Sequence, residues 1–404
     1  TDLFVVTRSV VDHAFVLQSF KFRMSSGVVT FQVAGKVEGN RMSLEIGDGA
    51  SKRHERMDLS GPPVMGSGMP HFFKGRSLRK GQSFRFLVFD PSTLAQKEMI
   101  IKVTARESLT IRGLQYHAFR LETEMWGQSM TFWLDAQGGL LKEKGIMGFT
   151  LIKSNAADAP RGVKGAEGKD FYELAAMGVA GRLHKPRRVT RLTLKVKGLK
   201  ETGFDTGILN RGRQRFKNGI LEITRERMPA TADYRLPYPD PSGNMQPFLR
   251  PESNIQSDAK AIVDKTRRIA GEAVDPVSVA RRLMRWVYRN VKKRPVITVP
   301  SALEVLKTGV GDCNEHAVLL TAFLRSLGIP ARQCVGVVYV RGGFYYHAWT
   351  EAYLGRWVSM DATLNQMPVD ATHIKLIEGG LDRQVEIIAL IGRVKLEVGD
   401  YGYD

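Results

Sequence analysis

The chain has 404 residues, 43% apolar and 25% charged, the profile of a soluble globular protein of two or three domains whose core needs no staples. Two cysteines, Cys313 and Cys334, exclude a disulfide framework, and no apolar run is long enough to cross a bilayer as a helix. A net charge of +19, from 60 basic and 41 acidic residues, favours anionic partners, but no zinc-finger, RNP-type or basic-helix signature accompanies it to indicate nucleic acid.

The chain opens at Thr1 without methionine, n-region or h-region, which reads as a mature or trimmed form whose targeting segment has been removed. Residues 1–155 read as a β-rich N-terminal domain. Residues 31–38 and 41–46 alternate apolar and polar side chains, the pattern of antiparallel strands with one face in water. Thr131 to Leu134, a Gly-containing loop at 135–139 and Leu140 to Lys144 read as a hairpin. The Gly- and Pro-rich run between residues 60 and 70 reads as a loop or linker.

Residues 155–170 are small, polar and Gly-rich, and a boundary is expected there. A basic β-rich segment over 170–240 follows, with alternation from Arg188 to Lys197 and from Ile220 to Thr224. Residues 181–235 hold 15 Lys/Arg against 5 Asp/Glu, which suits either an anionic cell-envelope surface or a merely solvated face. Six prolines between Pro229 and Pro251 exclude helix and central strand, so an extended linker is expected.

From residue 250 the pattern turns helical. Ile262, Thr266 and Ile269 are helix-spaced within Asp258 to Ala270. Pro276 opens a second helix, whose buried stripe is Val279, Leu283, Met284, Trp286 and Val287.

Gly311-Asp312-Cys313 then leads into an apolar helix that stops at Gly328-Ile329-Pro330. Asp312 with Glu315 fits a capping box, which makes Cys313 the first helical residue. The positive end of the helix dipole favours the thiolate there, and the thiolate is the nucleophile. A buried cysteine at a helix start is the plainer reading of Cys313 taken alone, and the strands beyond the helix change it.

Gln333 to Val340, Tyr345 to Tyr353 and Trp357 to Asp361 read as three strands joined by turns at 341–343 and 354–356. A hairpin centred near residue 354 sets His347 opposite Asp361, with Cβ atoms roughly 4.5–5.5 Å apart. A carboxylate there fixes the imidazole tautomer and stabilises the imidazolium formed in catalysis. A cross-strand pair serving only stability is the bland reading of each residue alone. Cysteine, histidine and aspartate in this order, at a helix start and on paired strands, point to nucleophilic catalysis.

Gly311-Asp312-Cys313, His347-Ala348-Trp349-Thr350-Glu351-Ala352-Tyr353 and Trp357-Val358-Ser359-Met360-Asp361-Ala362-Thr363 resemble the transglutaminase-like superfamily, whose catalytic core is similar to papain's. The resemblance spans roughly residues 258–375 and looks closest to bacterial members with β-rich segments before the catalytic domain. It implies Cys313 as nucleophile, His347 as general base and acid, and Asp361 as its orienter. It implies an α+β protein with a papain-like, transglutaminase-like catalytic domain over 250–404, preceded by the two antiparallel β-rich segments. The expected chemistry is attack on an amide carbonyl, release of amine or ammonia, and resolution of a thioester by water or a second amine. The Cys313 backbone N–H is the natural first oxyanion donor.

Hydrolysis of peptide, isopeptide or glutamine amide bonds in a protein or peptide substrate is the first expectation, and protein cross-linking the second. A non-catalytic envelope scaffold with a relic triad is the alternative from another class. A periplasmic or secreted location is expected. No cofactor is expected, and no His-Glu-x-x-His, Cys-x-x-Cys or Ca²⁺-loop spacing indicates a metal. Cys334 reads as a buried thiol in a strand. His316 reads as a capped or core histidine before it reads as a partner of the thiol. Trp349 and Trp357 are expected to pack beside the site. His373 falls inside the resemblance, but these residues assign it no mechanism.

Overall fold

The computed structural model describes residues 3–26, 29–47, 52–125, 128–145, 150–159, 176–199, 204–294, 299–379 and 393–403, with 202, 387 and 390 as single positions. Leu3–Val11, Leu17–Ser26, Val29–Glu38, Arg41–Ile46 and Arg53–Asp58 form one antiparallel sheet in chain order. Alternation turns Phe20, Phe22, Phe31, Val33, Met42 and Leu44 inward and leaves Lys21, Arg23, Lys36 and Arg41 exposed. The inward face packs on Met65 and Phe89 of a second sheet. That sheet runs in reverse chain order from Thr150–Ile152 to Pro63–Met65, and it contains the expected hairpin as Gln128–Leu134 and Leu140–Lys144.

Residues 60–70 hold more structure than the loop expected of them. Pro63–Met65 pairs in parallel with Leu87–Phe89, and a five-residue helix starts at Met69 with Pro70 in its first turn. Val64 and Met65 are buried, and that burial outweighs the punctuation that Gly and Pro suggest. Of the boundary expected at 155–170, residues 160–175 lie outside the described residues.

The C-terminal unit is built on a third sheet. Its strands are β1 (Ala176–Ala180), β2 (Val189–Lys197), β3 (Gln214–Lys217), β4 (Ile220–Thr224), β5 (Ala331–Val340), β6 (Gly343–Tyr353), β7 (Trp357–Met360), β8 (Ile374–Glu378) and β9 (Lys395–Tyr403). Their order is β3-β4-β2-β9-β1-β6-β5-β8, with β7 paired to β6. The strands of the basic segment therefore continue the sheet that carries His347.

Among the described residues, four α-helices complete the unit: α1 (Lys260–Ala270), α2 (Pro276–Asn290), α3 (Ala302–Thr308) and α4 (Cys313–Ser326). Asp275 caps α2 by accepting from the Ser278 N–H at 2.9 Å, and Pro276 sits where no intrahelical donor is lost. Ile262, Leu283 and Val287 pack on Leu319 and Phe323 of α4 and on Ala352, Val358 and Met360 of the sheet. Burial on nearly every side holds α4 as the central helix and fixes its N-terminus against β6.

The Pro-rich stretch at 229–251 holds no strand and no α-helix, but it is not the wholly extended linker expected: it turns after Asp240, forms a 3₁₀ helix at Gln246–Phe248 and packs along this unit. Tyr234 Oη donates to the Tyr353 carbonyl at 2.6 Å, and the Tyr238 N–H to the Gly328 carbonyl at 2.9 Å. No helix among the described residues is long and apolar enough to cross a membrane.

Lys375 and Arg332 meet Glu351 and Glu378 in a buried ion cluster, with contacts of 2.8 Å (Lys375–Glu351), 2.6 Å (Lys375–Glu378), 2.7 Å (Arg332–Glu351) and 2.9 Å (Arg332–Glu378). Burial alone would raise the Glu351 carboxyl, but Lys375 and Arg332 hold it down to about 2. Its folded value lies below the ordinary one, so its contribution is complete at neutral pH. That contribution fades as pH falls below about 4.5 and is gone once pH has passed through about 2. Urea unfolding at neutral pH and near pH 3 should show a loss of stability to which this group contributes roughly 3 kcal/mol at most. In Glu351→Gln the acid-dependent part should shrink, while stability at neutral pH drops because Lys375 and Arg332 each lose one of their two carboxylate partners.

Candidate active site

The turn before α4 is shaped by its own side chains. Asp312 Oδ1 accepts from the Asn314 N–H at 2.9 Å, and Glu315 Oε2 accepts from the Asp312 N–H at 2.9 Å, which completes the expected capping box. Gly311 leaves room for this box, because a Cβ there would lie 2.2 Å from Glu315 Cβ. Cys313 is the first helical residue and is partly buried beside Tyr346. The Ala348 N–H lies close enough to favour the thiolate of Cys313, which sets the thiol near β6, one residue beyond His347.

The charge balance at this thiol runs against the expectation from the helix dipole. Burial pushes the Cys313 thiol well up, and Asp312, Glu315 and Asp361 push the same way, against the Ala348 N–H. The cap brings two carboxyls to the helix end that should favour the thiolate. Burial and then Asp312 also push the Glu315 carboxyl well up.

His347 and Asp361 meet as expected: Nε2 and Oδ2 are 2.8 Å apart and both side chains are buried. The register that joins them differs. The ladder pairs Tyr353 with Trp357 and Thr350 with Met360, so the hairpin centres on residue 355. Gly355, at φ +83, supplies the left-handed residue of a three-residue turn. Asp361 therefore lies past the end of β7, in a bridge with Gln366, and reaches His347 diagonally. The shift is two residues, so parity and face are kept. Asp361 Oδ1 accepts from the N–H groups of Thr363 at 2.7 Å and Leu364 at 3.0 Å. Burial disfavours the Asp361 anion, but His347 and His373 outweigh it and hold the carboxyl well below its usual range.

His373 is the residue whose part the sequence left unassigned. Its Nε2 lies 3.1 Å from Asp361 Oδ2, the same oxygen that serves His347, and its Nδ1 lies 3.3 Å from Asp370 Oδ1. His347, Asp361 and His373 offer ligand atoms within 4.8 Å of one another. The 2.8 and 3.1 Å separations are those of hydrogen bonds. Tetrahedral ligands of a zinc ion stand about 3.3 Å apart.

The other candidates fall where packing puts them. Trp349 is buried and stacks on His347, with ring centroids 6.3 Å apart, as expected of a residue beside the site. Trp357 does not share that place: it lies under the Arg332 guanidinium at 4.2 Å and against Phe248, in the surroundings of the ion cluster. His316 is a core histidine whose Nδ1 lies 2.6 Å from the Asp312 carbonyl, and burial pushes its pKa down. Cys334 is a buried thiol in β5.

Gly336 lets β8 approach β5 beside the site. A Cβ on Gly336 would stand 1.8 Å from the Ile374 carbonyl oxygen, a backbone atom that cannot swing aside. Gly336 pairs with His347 on one side and Lys375 on the other. Gly336→Ala should therefore lower the stability read by urea unfolding by about 1–3 kcal/mol or more and displace His373, which immediately precedes Ile374. An unchanged midpoint would show that the two strands part without cost.

Residues 263–362 match the profile of the transglutaminase-like superfamily. No curated protein matches the chain significantly. Among solved structures, a protein from Cytophaga hutchinsonii proposed to be a cysteine protease aligns at 19% identity with a TM-score of 0.35, covering 54% of this chain and 88% of its own. The periplasmic domain of TgpA from Pseudomonas aeruginosa aligns at 16% identity with a TM-score of 0.26, covering 55% of this chain and 80% of its own. A protein from Parabacteroides distasonis proposed to be a protease aligns at 11% identity with a TM-score of 0.24, covering 88% of this chain and 69% of its own.

Proposed function

We propose, for a chain whose residues 263–362 are transglutaminase-like, that it performs acyl transfer on amide bonds through a thioester at Cys313. The observation that carries this reading is the buried 2.8 Å His347–Asp361 pair, one residue from Ala348, whose N–H lies close enough to Cys313 to favour its thiolate. Nε2 of His347 is committed to Asp361, so Nδ1 is the nitrogen available to a thiol. His347 takes the thiol proton as sulphur attacks the carbonyl carbon. It returns that proton to the departing amine or ammonia and then activates water to open the thioester. Cys313 is N1 of α4, so its N–H has no intrahelical acceptor and is available to the oxyanion.

The substrate class we assign is a protein or peptide, with hydrolysis of a peptide, isopeptide or glutamine amide bond as the outcome. The proposal includes an extracytoplasmic location. Exposed Arg182, Lys185, Arg188 and Lys195 keep an anionic envelope surface as its proposed setting. A relic triad is the second reading, and the upward push on the Cys313 thiol favours it.

The test is incubation with a protein rich in Gln and Lys plus a primary-amine probe, followed by intact mass, with Cys313→Ala as control. Cleavage or deamidation that the control lacks supports the hydrolase. Incorporation of the probe, absent in the control, reassigns the chain to cross-linking. No change in any substrate tried would leave the relic reading standing.

A further inference from the structure

We propose that His373 is a positioning residue: bridging Asp361 and Asp370, it fixes the Asp361 carboxylate on His347 and tempers the basicity of that imidazole. The inference rests on the reading of His347 as base and Asp361 as its orienter. His373 lies beyond the family match, which ends at residue 362.

Donors and acceptors fix the charge of the ring. Both ring nitrogens of His373 stand within hydrogen-bond distance of carboxylate oxygens, Asp361 Oδ2 at 3.1 Å and Asp370 Oδ1 at 3.3 Å. A carboxylate only accepts, and a neutral imidazole has a single N–H. Both contacts are hydrogen bonds only when the ring is an imidazolium. His373 is fully buried, and a buried charge persists where its partners are fixed around it.

Those partners come from every neighbouring segment. Asp361 follows β7 and Asp370 shares the loop of His373. Arg187, from the turn before β2, makes a 2.9 Å ion pair with Asp370 Oδ2. Arg213, just before β3, donates to the Asp370 carbonyl at 2.9 Å and to the His373 carbonyl. His347 and Trp349 of β6 face the ring with centroids 5.7 and 5.4 Å away. Burial works against the His373 cation, but the two carboxylates outweigh it and its pKa is raised. Its contribution to stability is therefore complete below about 6.5 and is lost as pH rises through the higher folded value.

Charge then alternates along one line that runs inward from the half-buried Arg187: Arg187 positive, Asp370 negative, His373 positive, Asp361 negative, and His347 at its end. Asp361 Oδ2 already accepts from a cation. A second cation on the same oxygen is disfavoured, so His373 weakens the pull of Asp361 on a second proton at His347, whose Nε2 is committed to that oxygen and whose Nδ1 is left for the thiol. The basic segment before the family match thus supplies the two arginines that clasp the loop behind the catalytic carboxylate.

The experiment is histidine-selective ¹⁵N NMR on the full chain across neutral pH, with His347 and His373 assigned by substitution. In the wild type both nitrogens of His373 should be protonated at pH 7. His373→Gln keeps a donor to Asp361 and removes the charge. Asp370→Asn leaves His373 in place and removes the anion that holds its second proton. In both variants the His347 pKa should rise by roughly one unit, and the acid limb of kcat/KM should move up with it. A merely structural residue would lower the melting temperature and leave the His347 titration in place. A neutral His373 at pH 7, or an unshifted His347 in both variants, overturns the proposal. If His347 shifts as expected while the wild type turns over no amide substrate, the positioning role stands and the hydrolase reading falls.

Discussion

Cys313→Ala should abolish amide turnover, lowering kcat/KM by roughly 10⁴- to 10⁶-fold, because the remaining groups supply binding and oxyanion stabilisation but no nucleophile. The substitution should cost little stability. The cap of α4 is carried by Asp312 and Glu315, alanine is a good first-turn residue, and the side chain it replaces is only partly buried. Loss of activity with an unchanged melting temperature therefore separates chemistry from folding.

Cys313→Ser makes the sharper comparison, since it keeps the shape and raises the proton affinity of the nucleophile. Burial and the flanking carboxyls already push the thiol up, so proton transfer to His347 has to accompany attack, and an alcohol should lose at least about 10³-fold. For the same reason, alkylation of resting Cys313 by iodoacetamide should be slow at neutral pH and accelerate as pH rises. Trapping of an acyl adduct of defined mass on Cys313 is the more direct readout. If Cys313→Ala retained wild-type turnover, the nucleophile would have to be sought elsewhere.

The parts of the site that are local in sequence are legible there. Asp312 and Glu315 three positions later announce the cap, the apolar run after them announces α4, and two alternating stretches around a glycine announce the hairpin that carries His347. The centre of that hairpin is harder to read, because Gly355 rather than Leu354 takes the left-handed position. The resulting shift of two residues leaves the pairing on the intended face. A shift of one would have separated the pair.

What escapes the sequence is what distant segments make together. Nothing near His373 signals a role. Its place depends on Gly336 admitting β8, and on Arg187, nearly two hundred residues earlier in the chain. The basic segment hides its part in a similar way, since a count of charges cannot tell a solvated arginine from one that clasps a buried loop. Arg213 is such a residue, with its guanidinium turned to the carbonyls of Asp370 and His373. The short strand at Pro63–Met65 shows the same limit for composition. Pro and Gly mark turns, yet a neighbouring sheet edge can still recruit the three residues between them.

Asp361→Asn tests the orienter, and its expected loss is about 10⁴-fold in kcat with little change in KM. The oxygen contacts dictate why. Oδ1 accepts from the N–H groups of Thr363 and Leu364, so an asparagine would keep its carbonyl oxygen there. Its amide nitrogen would then take the place of Oδ2 and present hydrogens to the Nε2 atoms of His347 and His373. His347 could answer only by moving its proton to Nδ1, the nitrogen that must accept from Cys313. His373 would lose one of the two acceptors that hold it charged, at a cost in stability of about 1–3 kcal/mol. The acid dependence should change with it. The wild-type carboxylate stabilises the fold above its ordinary pKa of 3.8, and that contribution is lost only as pH falls through the much lower folded value. The variant has no such group to protonate, so its unfolding midpoint should fall less steeply in acid. A variant within tenfold of wild-type turnover would mean that Asp361 serves the fold alone and that some other group orients the base.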